Sequence, residues 1–408
     1  MVSLRRTWLA GAVLTLMVAA CTDSADEVRS ESSPASPTTE AASPGKPGSS
    51  SSDSGDYGGE IAPPRELTVV MSGDVLIHTG VWESARADAA AAGRSGMDFR
   101  PMFASMEPVY TDADLAICHL EVPLAERDGP FLNYPIFSAP PQVVRGLKAA
   151  GIDTCTTASN HSLDTGLEGL LRTLRTLDEK GVRHAGTAAT RKQSKTPVIV
   201  DVDGVSVALL SYSYGTNGIP IPSEAPWSVP LIDTEKILRV AAKARAAGAE
   251  IVLVALHAGT EYTTSPNEQQ LEVFDALTKS PDIDLVYGHH AHVPQPIDVV
   301  NGNWVAYGLG NFVAQQSTDV PDTYRGVTAR FEFVEQPDGT FEVRKARFIP
   351  TMITPASGGP MRVLNAPAAL RDPDTEPALL SSLRDAVANV RQDVFSLGAR
   401  KHGLRMAH

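Results

Sequence analysis

Three features of this 408-residue sequence predict an α/β fold. Short apolar runs rich in β-branched residues recur along it, as buried strands require. Stretches with helical spacing separate several of them, the alternation that builds layered α/β domains. Run after run also ends in a polar cluster, which is where α/β sheets place their sites. With 42% hydrophobic residues the chain can bury a substantial core. A formal net charge of −13 argues against nucleic acid as a partner.

The N-terminal residues stand apart from the fold. Arg5 and Arg6 precede an apolar run, Trp8 to Ala20, that is too short to span a bilayer. The run ends Val18-Ala19-Ala20-Cys21, which resembles a bacterial lipobox. That resemblance implies cleavage before Cys21, a lipid on Cys21, and an extracytoplasmic protein anchored to the bacterial cell membrane. Residues 1–21 are therefore read as a lipoprotein signal peptide. Residues 22–64 form a Ser/Pro/Gly-rich tract that cannot bury enough apolar surface to order itself. As a tether it would span about 35 Å on average. The main domain is expected over residues 65–350, with a C-terminal helical extension over 351–408.

Leu67 to Met71 reads as a buried strand that stops at Ser72-Gly73-Asp74, with a carboxylate just past its end. The Ala-rich stretch from Val81 to Ala92 reads as a helix. Asp114 to Leu120 is a second strand, and alternation points His119 and Glu121 to one side of it. Gln142 to Ala150 is a short helix ended by Gly151. Asp153 to Ala158 is a third strand running into Ser159-Asn160-His161, a pair able to offer a neutral oxygen ligand and an acid–base imidazole. Leu167, Leu170, Leu171, Leu174 and Leu177 then recur at helical spacing up to Gly181.

Pro197–Val202 and Val205–Tyr212 form a hairpin around Asp203-Gly204. Asp233 caps a helix reaching about Ala247. Glu250 to Leu256 is a strand ending at His257, followed by Glu261, Tyr262 and a helix after Pro266. Ile283 to Tyr287 leads to Gly288, read as permitting a sharp exit, and then to His289, His290 and His292. A His-x-His pair on such a loop can aim two imidazoles at one point, as a metal requires. Trp304 to Tyr307 leads into Gly308-Leu309-Gly310-Asn311-Phe312. Strands over Tyr324–Val334 and Thr340–Ile349 are expected in a second sheet or at its edge. A helix over Ala378–Leu397 closes the domain, and Arg400, Lys401 and Arg405 fall in a solvated tail. Cys118 and Cys155 lie on strands that could be neighbours; buried thiols are expected in preference to a disulfide.

Taken together, Gly73-Asp74, Leu120-Glu121, ASNHSLDTG at 158–166, HAGTEY at 257–262, DLVYGHHAHVPQP at 284–296 and YGLGNF at 307–312 resemble the calcineurin-like metallophosphatase superfamily. The closer likeness is to its CapA branch of capsule synthesis proteins for poly-γ-glutamate. It covers roughly Leu67 to Phe348. It implies an α-β-β-α sandwich of two mixed sheets flanked by helices. It also implies one or two divalent metal ions, of the Mn, Fe or Zn class. Asn160, His257 and His290 would hold one, Asp74 and His292 the other, and Glu121 would bridge them. His161 would protonate a leaving group. His119, Glu261, Tyr262 and Asn311 are the candidate substrate-binding residues. The substrate would be a phosphoester or a bond in an anionic envelope polymer.

Three positions depart from the pattern. Leu76 stands where the broader superfamily has a histidine, Glu121 where an aspartate is usual, and His119 where CapA-like chains have asparagine. His78 or His119 could fill the gap left at Leu76. The alternative to a hydrolase is a non-catalytic polymer-binding or scaffold component of an envelope assembly system.

Overall fold

The computed structural model describes residues 63–407. The signal peptide, Cys21 and nearly all of the tether lie outside them. The strands are β1 (Glu66–Val75), β2 (Leu115–Leu120), β3 (Thr154–Thr156), β4 (Arg183–Ala185), β5 (Val198–Val202), β6 (Val205–Ser213), β7 (Ile251–His257), β8 (Leu285–His289), β9 (Ile297–Val300), β10 (Asn303–Ala306), β11 (Asn311–Val313), β12 (Arg325–Glu335), β13 (Phe341–Ile353), β14 (Val363–Asn365) and β15 (Arg405–Met406). The α-helices are α1 (Thr79–Ala91), α2 (Arg100–Phe103), α3 (Glu107–Thr111), α4 (Gln142–Ala149), α5 (Gly166–Lys180), α6 (Thr234–Ala246), α7 (Glu268–Thr278), α8 (Ala366–Ala369) and α9 (Leu380–Val394).

Two mixed sheets stack face to face. The first runs β14-β13-β12-β1-β2-β3-β4, with β11 beside β1 and β15 beside β13; the second runs β5-β6-β7-β8-β10-β9. Strand alternation decides which side chains fill each layer. Val69 and Met71 face inward, with Leu115 and Ile117, onto Leu209, Ile251, Leu253 and Leu285 of the second sheet. Val70 and Ala116 face outward, onto Trp82 of α1, Phe103 of α2 and Leu147 of α4. On the far side, Val252, Val254 and Val286 pack against Ile237 and Ala241 of α6 and Phe274 of α7. The result is the expected four-layer sandwich of two mixed sheets flanked by helices.

Local chemistry sets the element ends. Asp233 accepts a hydrogen bond from the Lys236 amide at 3.0 Å and starts α6. Asn267 and Gln270 form a reciprocal capping box at α7. Gly181 ends α5 in the left-handed conformation.

Three expectations are corrected. β12 is neither in a second sheet nor at an edge: it pairs antiparallel with β1 in the interior of the first sheet. The boundary near residue 350 falls inside β13, and β14 and β15 join that same sheet, so Arg405 lies on a strand. Finally, Cys118 and Cys155 form a disulfide. They sit directly opposite each other in the parallel β2–β3 pair, with Cα atoms 4.4 Å apart, a spacing a disulfide can span.

Candidate metal centre

The first sheet brings the acids. At position 73 a side-chain methyl would collide with the Gly310 carbonyl oxygen, so only glycine lets β1 lie this close to the chain ahead of β11. The next residue, Asp74, donates its amide to that oxygen at 2.9 Å. Its buried carboxylate lies 2.8 Å from His289 Nδ1 and 3.2 Å from His292 Nδ1. The His290 amide also donates to it at 3.2 Å. Burial would raise its pKa, but the hydrogen bonds from His289 and His292 hold it well below the usual carboxylate range.

Glu121 follows the end of β2. Both of its carboxylate oxygens are buried without a hydrogen-bond partner. Burial pushes its pKa up to about 7. Oε1 lies 3.7 Å from His292 Nε2 and 3.8 Å from His257 Nε2. These gaps exceed a hydrogen bond, and two ligands of one tetrahedral zinc stand about 3.4 Å apart. Burial would lower the His292 pKa, but Glu121 and Asp74 lift it to about 10. Two buried carboxylates with an unsatisfied oxygen pair thus call for positive charge between them.

The second sheet brings the imidazoles. His257 ends β7, with Nε2 2.8 Å from Asn160 Oδ1 and Nδ1 2.9 Å from His119 Nε2. His290 and His292 leave β8 with φ values of 84° and 57°, a conformation costly for side-chain-bearing residues. The His290 Nδ1 is buried without a partner, its ring centroid is 4.8 Å from that of His257, and burial lowers its pKa to about 3. Tyr214 covers it from outside at 4.5 Å.

Asp74, Glu121 and His292 offer ligand atoms within 4.8 Å of one another, and His257, with Asn160 and His290 beside it, adjoins that group through Glu121. His161 stands at its margin, held by Asp164 Oδ2 at 2.7 Å from Nδ1 and packed edge-on against Phe137. Asp164 is fixed in turn by the Phe137 amide. Glu261 is exposed at the mouth, yet Glu261, His290 and His292 offer ligand atoms within 4.8 Å of one another. Tyr262 is exposed beside it, with its ring 6.3 Å from His292.

Two expected substrate contacts lie elsewhere. His119 is fully buried behind His257, with Nδ1 engaged by Thr156 Oγ1 at 2.8 Å and Nε2 by His257. Asn311 is equally buried; Oδ1 lies 2.9 Å from His292 Nδ1, and its amide donates to Thr323 O. Each is hydrogen-bonded to a candidate ligand histidine, and His119 also offers a nitrogen within 4.8 Å of ligand atoms of Asp74 and His289. His78 does not fill the gap at Leu76: its Nδ1 meets Leu76 O and the Gln315 amide. Gly288 makes no sharp exit either; it stays in β8, where a Cβ would collide with Tyr307 O.

Sequence reasoning gave no role to His289 or Asp164. The signal for Asp164 was its place three residues after His161 in a turn. His289 offered only strand alternation, which cannot show that Asp74 lies opposite.

The family model described as "Bacterial capsule synthesis protein PGA_cap" matches residues 68–316. "Capsule biosynthesis protein CapA" of Bacillus anthracis is 29% identical over 261 residues, covering 62% of this chain and 60% of that protein. "PGA biosynthesis protein CapA" of Bacillus subtilis is 27% identical over 250 residues, covering 59% and 63%. The chain thus matches less than two thirds of the length of either relative. Among solved structures, the calcineurin-like phosphoesterase YfkN of Bacillus subtilis is 15% identical with a TM-score of 0.44, covering 80% of this chain and 98% of that one.

Proposed function

The chain belongs to the bacterial capsule synthesis protein family PGA_cap, and from that premise we propose that it acts on an anionic, glutamate-type envelope polymer through a metal-dependent hydrolytic site. The names of the Bacillus relatives support the polymer. The single observation that carries the hydrolytic site is Glu121, whose two oxygens lie buried and unpartnered between imidazoles on the opposite sheet.

Asn160, His257 and His290 would hold one divalent ion, Asp74 and His292 the other, with Glu121 shared. Bound Mn, Fe or Zn would supply hydroxide at neutral pH and offset negative charge developing on the substrate. The chain's own residues do the rest. His119 occupies His257 Nδ1 and turns Nε2 toward Asn160 and Glu121. Asn311 fixes the His292 ring in the same way. Asp164 holds His161 Nδ1, leaving Nε2 to donate a proton to a departing group.

Export and a lipid on Cys21 belong to the same proposal. The lipobox-like sequence supports them, as does the Cys118–Cys155 bond, since disulfides persist in oxidising compartments. No helix among the described residues is long and apolar enough to cross a membrane.

The alternative, a non-catalytic polymer binder or scaffold, draws on Leu76. It is buried in the apolar core and offers no ligand, which leaves the Asp74–His292 ion with few side chains. Metal analysis of the purified protein, with turnover of a phosphoester and of γ-linked polyglutamate, decides between them. Bound metal with metal-dependent turnover supports the hydrolase. A folded protein that takes up no metal overturns it and leaves the binder.

A further inference from the structure

Away from the metal centre, a cleft of about 580 Å³ opens between the end of α1, α2, α4 and α5. Seven basic and three acidic side chains line it, in a chain whose net charge is −13. Some of the cations are already engaged. Arg94 and Arg100 both pair with Asp98. Arg172 donates to Leu124 O at 2.8 Å and lies 3.6 Å from Glu126. Among the described residues no ion pair holds the other four: Arg127 on the loop after β2, Arg145 on α4, and Arg175 and Lys180 on α5. All four are exposed, and Glu179 is the one cleft acid without an ion pair.

Two chain segments connect the cleft with the metal centre. Ala125 lines it and lies four residues after Glu121, so their Cα atoms are within about 14 Å. Helix α5 begins five residues after His161, and Arg172 sits about 9 Å further along its axis. Residues 172, 175, 176 and 179 form one stripe of that helix facing the cleft.

We propose that this cleft binds a run of carboxylates on a polymer chain and delivers that chain to the metal centre. The polymer's identity rests on the function proposed above. The cations come from three separate elements around the cleft, whereas a single small anion needs donors converging on one point. Guanidinium forks suit successive carboxylates. A protein this acidic repels a polyanion at long range, so capture needs a local basic surface.

The test uses the full chain and a fluorescent γ-linked glutamate oligomer, followed by anisotropy at low ionic strength. The double substitution Arg145→Glu with Arg175→Glu should weaken binding by about tenfold or more, with metal content and melting unchanged. The pair Arg145→Lys with Arg175→Lys should keep most of the affinity. Added salt should weaken the parent's binding. Equal binding by the Glu variant, or no binding by the parent, overturns the proposal. Inorganic phosphate competing as well as the oligomer at equal charge also overturns it, in favour of a small-anion site. If binding depends on Arg145 and Arg175 but nothing is hydrolysed, the cleft stands and the hydrolytic function falls. If the Glu variant binds and hydrolyses polymer like the parent, the cleft falls and the hydrolytic function stands.

Discussion

The two sheets contribute opposite chemistry to one site. The first supplies the carboxylates Asp74 and Glu121, with Asn160 and His161 on the turn after β3. The second supplies His257, His289, His290 and His292. Neither sheet alone holds all the candidate ligands, so they meet only once the two apolar faces have packed. The halves also differ in how they are held. The acid half is cross-linked by Cys118–Cys155, one residue before His119. The imidazole half rests on strained backbone at His290 and His292. Rigidity is covalent on one side and comes from packing and hydrogen bonds on the other.

Substitutions on each half test that contrast. The largest effect is expected at the shared residue: Glu121→Gln should reduce both metal content and turnover to background while the protein still folds. His161→Ala should lower turnover by about 10²- to 10⁴-fold and leave metal content intact, read by metal analysis beside the assay. Loss of metal in that variant would make His161 a ligand instead of a proton donor. His119→Ala lies on the acid sheet but acts through His257, so metal affinity should fall about 10- to 100-fold with little change in fold. An unchanged affinity would confine His119 to packing. Replacing Cys118 and Cys155 with serine should cost about 2–4 kcal/mol in urea unfolding and spare metal binding. An equal loss of metal would show that the disulfide also sets the site geometry.

A pH slope in the metal-stripped protein gives a further readout. His292, raised to about 10, stabilises the fold fully below its unfolded value of 6.5 and loses that contribution as pH rises through about 10. Glu121, raised to about 7, favours the fold when protonated and loses that contribution as pH rises through about 7. Burial lowers the pKa values of His78, His119, His257 and His290, and these oppose that trend up to about pH 6.5, so the net fall in stability is expected from about pH 7 to pH 10. His292→Gln should flatten the slope; an unchanged slope would place its origin outside the site.

Much of this was legible in the sequence. Strand ends and histidine spacing located Asp74, Glu121, Asn160, His257, His290 and His292, because each sits at or just beyond an apolar run that must be buried. Depth was not legible. β2 ends at Leu120, just before Glu121, and alternation cannot say that the Glu121 carboxylate lies among imidazoles of the other sheet while His119 stacks behind the His257 ring. The pairing of Asp74 with Asn311 arises from β11 lying beside β1, a tertiary register with no local signal. The same holds for Cys118 and Cys155. β12 was misplaced because an apolar alternating run shows that it forms a strand and leaves its neighbour unspecified.

That neighbour has a consequence for how the chain is made. β1 is the first strand among the described residues, and one of its two long flanks is covered by β12 over Glu66–Ser72, with Leu67 opposite Phe333, and by β11 only at Asp74 and Val75. Until residues beyond 330 have emerged, β1 carries an open edge, and closing so long a loop is slow. A protein cut at residue 316, where the family match ends, would keep every proposed ligand and lose the strand that covers β1 from Glu66 to Ser72. Such a fragment should aggregate through that edge, so the smallest folding unit is larger than the smallest set of site residues.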